Sequence, residues 1–172
     1  MEEAIVNRVA KSTLVTIDLE DYYPQGEKAV YDIADQLFQG LILREKDFRE
    51  HIKTHDWSQY QGQYVAVYCS ADAIVPTWAY MLLTSRLVPY AKDIVFGDLE
   101  NLNKQLLLKN INEINADDYV DAKIVIKGCG DLNISAFAYV EITKLLQPSS
   151  KSIMYGEPCS MVPVYKQKRL GK

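Results

Sequence analysis

The chain has 172 residues, 48% hydrophobic and 24% charged, close to the globular average, which excludes wholesale disorder, a fibrous repeat and a coiled coil. Lys and Arg total 19 against 23 Asp and Glu, a net charge of −4, so no global positive charge points to nucleic acid or an anionic membrane. A chain of this length buries about two-thirds of its unfolded surface, enough for a core without staples, and a single domain over residues 1–172 is expected.

Met1-Glu2-Glu3 lacks a basic region followed by an apolar one, so no signal peptide is expected. No apolar run reaches the roughly 18 residues that span a bilayer; 41–43 and 106–108 are far too short. Residues 14–19 can form a strand, and Tyr23-Pro24-Gln25-Gly26 reads as a turn. Residues 38–44 read as a strand leading into a charged helix over 45–55, where Phe48 and Ile52, four apart, anchor one face. Gln61-Gly62 marks a turn. A β-branched run over 64–69 predicts a strand, a turn with Asp72 follows, and a helix over 78–87 stops at Pro89. Residues 93–96 then read as a strand ending in Gly97. Leu99, Leu102 and Leu106 have helical spacing, and Asp117-Asp118 marks a turn. The same grammar returns: a strand over 123–127, a turn with Asp131, a helix over 137–146 stopped by Pro148, and a strand over 152–155 ending in Gly156. Residues 166–172 carry four positive charges and read as a frayed, solvated tail rather than a nucleic-acid arm.

That return is gapless. Residues 65–97 align to 124–156 at a constant offset of 59, with nine of 33 positions identical, among them Asp72/Asp131, Tyr80/Tyr139, Pro89/Pro148 and Gly97/Gly156. A structural duplication is expected, each copy a βαβ unit. The fold class that follows is α/β, layered, with a mostly parallel sheet containing two tandem βαβ repeats.

In open parallel sheets ligands bind beyond the carboxyl ends of the strands. If all four repeat strands are parallel in one sheet, one edge holds Cys69, Cys129 and Cys159 together with Asp72, Asp98, Asp131 and Glu157. Thiolates bind zinc, iron or iron–sulfur clusters, and a carboxylate can add a harder ligand. The three cysteines, an odd number without disulfide spacing or a Cys-x-x-Cys pair, are expected to be reduced thiols in a cytoplasm. Packing is the competing reading: Cys69 as a small hydrophobe ending a strand, Asp72 and Asp131 as helix caps.

Gly128-Cys129-Gly130-Asp131 resembles part of a phosphate-binding turn. It lacks the third glycine of the dinucleotide fingerprint and the Gly-Lys-Ser/Thr of a P-loop, and Asp131 would repel a phosphate. His51 and His55, the only histidines, have the four-residue spacing of a zinc protease. Ile52 stands where such a protease needs Glu, so exposed flank positions are expected. Tyr is frequent, 12 against four Phe; Tyr80 and Tyr139 read as core residues with the hydroxyl reaching out, or as walls of a pocket for a planar ligand.

The strings Gln36-Leu37-Phe38-Gln39-Gly40-Leu41-Ile42-Leu43-Arg44-Glu45-Lys46-Asp47-Phe48-Arg49, Cys69-Ser70-Ala71-Asp72-Ala73-Ile74-Val75-Pro76-Thr77-Trp78-Ala79-Tyr80 and Tyr155-Gly156-Glu157-Pro158-Cys159-Ser160 resemble a bacterial family designated domain of unknown function 2480, over nearly the whole chain. The resemblance implies a cytoplasmic bacterial setting and gene neighbourhoods shared with iron–sulfur assembly genes. It assigns no residue a role.

The expected function is a binding or accessory protein in metal or iron–sulfur handling. Cys69, Cys129 and Cys159 are the thiol ligands, with zinc or iron as cofactor; Asp72, Asp131, Asp98 and Glu157 are the carboxylates. Iron–sulfur assembly proteins or a second copy are the expected partners. Two alternatives stay open: a small-molecule enzyme using a Cys nucleophile or an Asp acid/base in the same crevice, and a ligand-free interaction module.

Overall fold

The computed structural model describes residues 14–128, 130, 132, 134–157 and 160–168. In chain order the elements are β1 (Leu14–Asp18), β2 (Lys28–Asp32), α1 (Glu45–Thr54), β3 (Tyr64–Tyr68), α2 (Thr77–Leu87), β4 (Asp93–Phe96), α3 (Leu99–Asn112), β5 (Lys123–Lys127), α4 (Ala136–Leu146), β6 (Ser152–Glu157) and β7 (Ser160–Lys166). Short 3-10 helices join several of them. The class is mixed α/β with mostly parallel strands, as the order of elements predicts. No helix among the described residues is long and apolar enough to cross a membrane.

The strands do not share one sheet. β2-β3-β4 form an all-parallel sheet, and β1-β5-β6-β7 form a second in which only the β6–β7 pair is antiparallel. The chain correspondingly divides into two compact units, Pro24–Leu106 and the pairing of Met1–Tyr23 with Leu107–Lys172.

In the unit Pro24–Leu106, β3 is the centre. Val65, Ala66 and Val67 are all buried, the continuous apolar run of a strand covered on both faces. Val65 and Val67 pack with Phe48 and Ile52 of α1 and with Ala79, Leu83 and Leu87 of α2; Ala66 packs with Leu102 and Leu106 on the other face. Ala79, Leu83 and Leu87 recur every four residues, one stripe of α2, and each is fully buried. Burying each leucine contributes roughly 1.5–3 kcal/mol.

The other unit is built alike. Ile124, Val125 and Ile126 of β5 are buried, and Ala138, Ile142 and Leu146 make the buried stripe of α4. β3, α2 and the start of β4 precede β5, α4 and the start of β6 by 59 residues each.

Three local expectations change. The strand expected over 38–44 is a tight turn: the Phe38 amide donates to the Ile42 carbonyl at 2.8 Å. Gln39 and Gly40 have φ of 53° and 69°, left-handed values that fold the chain back on itself. Leu41 and Ile42 are each 63% exposed, and of this run Leu43 alone joins the core. β2 and β7 are strands the sequence pattern did not flag. Finally, Lys166 closes β7 and the Gln167 amide donates to Lys151 O at 2.9 Å; residues 169–172 lie outside the described residues.

Candidate functional site

With two sheets there are two carboxyl edges, so the single edge expected to gather all the candidates is not formed. The loops after β3 and β4 carry Cys69, Asp72 and Asp98 at one edge. Glu157 belongs to the other sheet, at the end of β6. Cys129, Asp131 and Cys159 lie outside the described residues.

At the edge of the three-stranded sheet, β2 ends in Asp32 and β3 in Tyr68, register partners. Asp32 Oδ1 accepts from the Ala34 amide at 2.9 Å, capping a 3-10 helix, and from the Ser70 amide at 3.0 Å. Burial alone would raise the pKa of Asp32; the Ser70 and Tyr68 side chains and the two amides outweigh it and hold the carboxyl below its ordinary value. This carboxylate therefore locks the loop that begins at Cys69. The Cys69 thiol is half-buried and donates to Ala71 O at 3.6 Å. Tyr80 stands edge-on to Phe96, ring centres 5.3 Å apart, and its hydroxyl is pushed up by burial and then by Cys69 and Asp32.

The capping role expected for Asp72 is not found. The N-cap of α2 is Pro76, with no side-chain bond, and Asp72 is exposed. Ser135 caps α4, its Oγ accepting from the Phe137 amide. Of the four candidate carboxylates, the one that caps a helix among the described residues is Asp98, whose Oδ1 accepts from the Asn101 amide at 2.8 Å at the start of α3.

At the edge of the four-stranded sheet, β1 ends in Asp18 and β5 in Lys127, again register partners, joined by a 2.7 Å ion pair. The Lys127 ammonium holds the Asp18 carboxyl below its ordinary value. Gly128 and Gly130 bracket Cys129 in sequence, and a side chain closes on each of them. A β-carbon at 128 would meet the Tyr139 hydroxyl at 2.7 Å, and one at 130 would meet the Glu20 carboxylate at 2.5 Å. Tyr139 donates to Gly128 O at 3.1 Å, and Glu20 Oε1 accepts from the Leu132 amide at 3.4 Å.

Tyr139 also stands edge-on to Tyr155, ring centres 5.5 Å apart, repeating the Tyr80–Phe96 pair 59 residues on. Ile126, Tyr139, Thr143, Ile153, Met154, Tyr155 and Val164 wall an apolar cavity of about 240 Å³. A larger, polar cleft of about 410 Å³ opens between Tyr22, Asn110 and Tyr119, with exposed Asp21, Glu113 and Asp118 at its walls. It carries no thiol, and nothing in the sequence pointed to it.

Sequence reasoning missed Asp18, Glu20 and Asp32. Their signal is a repeated tetrapeptide, Asp-Leu-Glu-Asp at 18–21 and Asp-Ile-Ala-Asp at 32–35, each following an apolar run. It also misjudged the histidines, which are half-buried rather than exposed: His51 Nε2 bonds Tyr31 Oη at 2.8 Å, and His55 Nε2 bonds Gln59 Nε2 at 3.0 Å. Among the described residues no group of three or more His, Cys, Asp or Glu could hold a metal ion.

The model of a family described as "Protein of unknown function (DUF2480)" matches residues 3–167. No curated protein and no solved structure matches the chain.

Proposed function

We propose that this chain, which belongs to the DUF2480 family, is a binding or accessory protein that handles a metal ion or sulfur through thiols and carboxylates at the carboxyl edge of its four-stranded sheet. The observation that carries the reading is the packing around Gly128 and Gly130. The Tyr139 hydroxyl and the Glu20 carboxylate stand within 3 Å of where a β-carbon would sit on either neighbour of Cys129, so these side chains would have to move to admit one. Such a loop suits a thiol that must meet a ligand at close range. A thiolate is the metal ligand and the nucleophile, and a carboxylate supplies a harder ligand or a base.

In this reading Cys129 and Cys159 are the thiols. Asp131, Glu157 and Glu20 are the carboxylates, and zinc or iron is the metal. Cys69 belongs to the other sheet and packs as a small residue, and Asp98 is committed to its helix cap. The family resemblance favours iron–sulfur assembly proteins as partners. A second reading, a small-molecule site, is favoured by the 240 Å³ cavity, because Tyr139 serves both the glycine loop and the cavity wall.

Metal analysis of protein purified without oxygen or a His-tag, with thiols counted in parallel, tests the first reading. Near-stoichiometric zinc or iron is expected, with thiols protected until chelation. Cys129→Ser should abolish both while the far-ultraviolet spectrum stays native. Metal-free protein with three freely titrating thiols would remove this reading and leave the cavity as the site. The apparent mass of the same preparation reads out whether a second copy is a partner.

A further inference from the structure

His51 lies on the last turn of α1 and His55 is its C-cap, with ring centres 4.9 Å apart. Tyr31 of β2 and Trp57 and Tyr60 of the following 3-10 helix enclose them, and these three are at most 8% exposed. His55 lies 4.4 Å from Trp57 and stacks on Tyr60 at 5.9 Å; Tyr31 stacks on Trp57 at 5.8 Å. The cage thus ties the α1–β3 connection to β2 through aromatic contacts.

Its hydrogen bonds have a direction. Gln59 Nε2 can only donate, so His55 Nε2 accepts there at 3.0 Å, with the Tyr60 hydroxyl at 3.4 Å. The neutral His55 ring therefore carries its proton on Nδ1. A second proton would go to Nε2, the atom that accepts from Gln59, and would set donor against donor.

Of the nearby charges, the Asp56 carboxylate favours a proton on His55, but burial outweighs it. The Asp56 carboxylate accepts from the Ser58 amide and hydroxyl, at 3.0 and 2.6 Å. Asp35, on the 3-10 helix after β2, acts on Tyr31 at longer range. On α1, Glu50 pairs with Lys53 at 3.6 Å, and α2 brings exposed Arg86 and half-buried Tyr80. The hydroxyls of Tyr31 and Tyr60 are held protonated, chiefly by burial.

We propose that the His51–His55 cage is a pH-sensitive latch. Mild acid protonates the pair, turns Gln59 and Tyr60 away from His55, and frees the Trp57–Tyr60 helix from β2. The inference stands apart from the thiol reading and uses none of its residues. The sign follows from the folded state. Burial lowers both histidines below 6.5, and for His51 the His55 charge adds to this. The opened segment takes up protons at the ordinary value while the closed cage resists them, so closure is complete above about pH 6.5 and lost as pH falls through the folded values.

The test uses the full chain with Trp78→Phe, which leaves Trp57 as the one tryptophan. Trp57 emission and the unfolding midpoint are followed from about pH 7.5 to about pH 5. The parent should lose stability with a slope of up to two protons taken up on unfolding. His55→Gln should lose about half of that slope, and the variant with both histidines changed should show nearly none. Proton NMR titration of wild-type imidazoles checks the same point without substitution, and both should titrate below the ordinary histidine value. A flat parental profile, an unchanged slope in the variants, or ordinary imidazole titration would each overturn the latch.

Discussion

Gly156→Ala is expected to destabilise the unit holding β6 and β7 by roughly 2–5 kcal/mol. Gly156 has φ of +115°, a conformation that residues with a β-carbon rarely adopt. Its β-carbon would also stand 2.5 Å from the carbonyl oxygen of Ser160 across the hairpin. That oxygen belongs to the backbone, so no side-chain rotation relieves the contact, and either β6 or β7 must shift. Tyr155 and Val164 wall the apolar cavity from these two strands, so its shape should change with the hairpin. Gly40→Ala is the control: φ is +69° there, but nothing lies within 4 Å, so only the backbone strain of about 1 kcal/mol is expected. Urea denaturation of both variants compares them directly. Equal costs would mean that the Ser160 contact adds nothing.

Ile142→Ala should cost about 2–5 kcal/mol, the range for buried aliphatic truncations. Ile142 is fully buried among Ile124, Ile126 and Ile153, and removing its outer carbons leaves a void between α4 and its sheet. Leu83→Ala, 59 residues earlier on α2, should cost about the same, because Leu83 is equally buried among Val65, Val67 and Phe48. Met81→Ala, on the same helix but 69% exposed, should change stability by less than about 0.5 kcal/mol. Equilibrium denaturation of the three variants checks the pattern. A cost under about 1 kcal/mol for Ile142→Ala would mean that α4 does not seat on β5 and β6.

The helices and central strands were legible because their signals are local. Val65–Val67 and Ile124–Ile126 are apolar runs, the α2 and α4 stripes repeat every four residues, and Pro89 and Pro148 follow each helix. The run at 38–44 misled because its composition is that of a strand, while a left-handed Gln39-Gly40 turn sets its path. β2 was overlooked because Lys28 and Asp32 at its ends dilute an alternation that buries Tyr31 and leaves Val30 outside.

The candidate site was legible only in part. Cys129 between two glycines stood out in the sequence, but the reason for those glycines did not, since Glu20 meets that loop across 112 residues. The four-residue spacing of His51 and His55 could be read directly; Tyr31, which closes their cage, comes from a different strand. Composition, periodicity and punctuation act over a few residues, so the chain alone specified the α/β class, the four helices and the central strand of each sheet. Sheet membership depends on pairing between distant segments. The fold alone therefore assigned β1 to β5 and β2 to β3, put Cys69 and Glu157 with different sheets, and set Asp18 against Lys127 and Asp32 against Ser70.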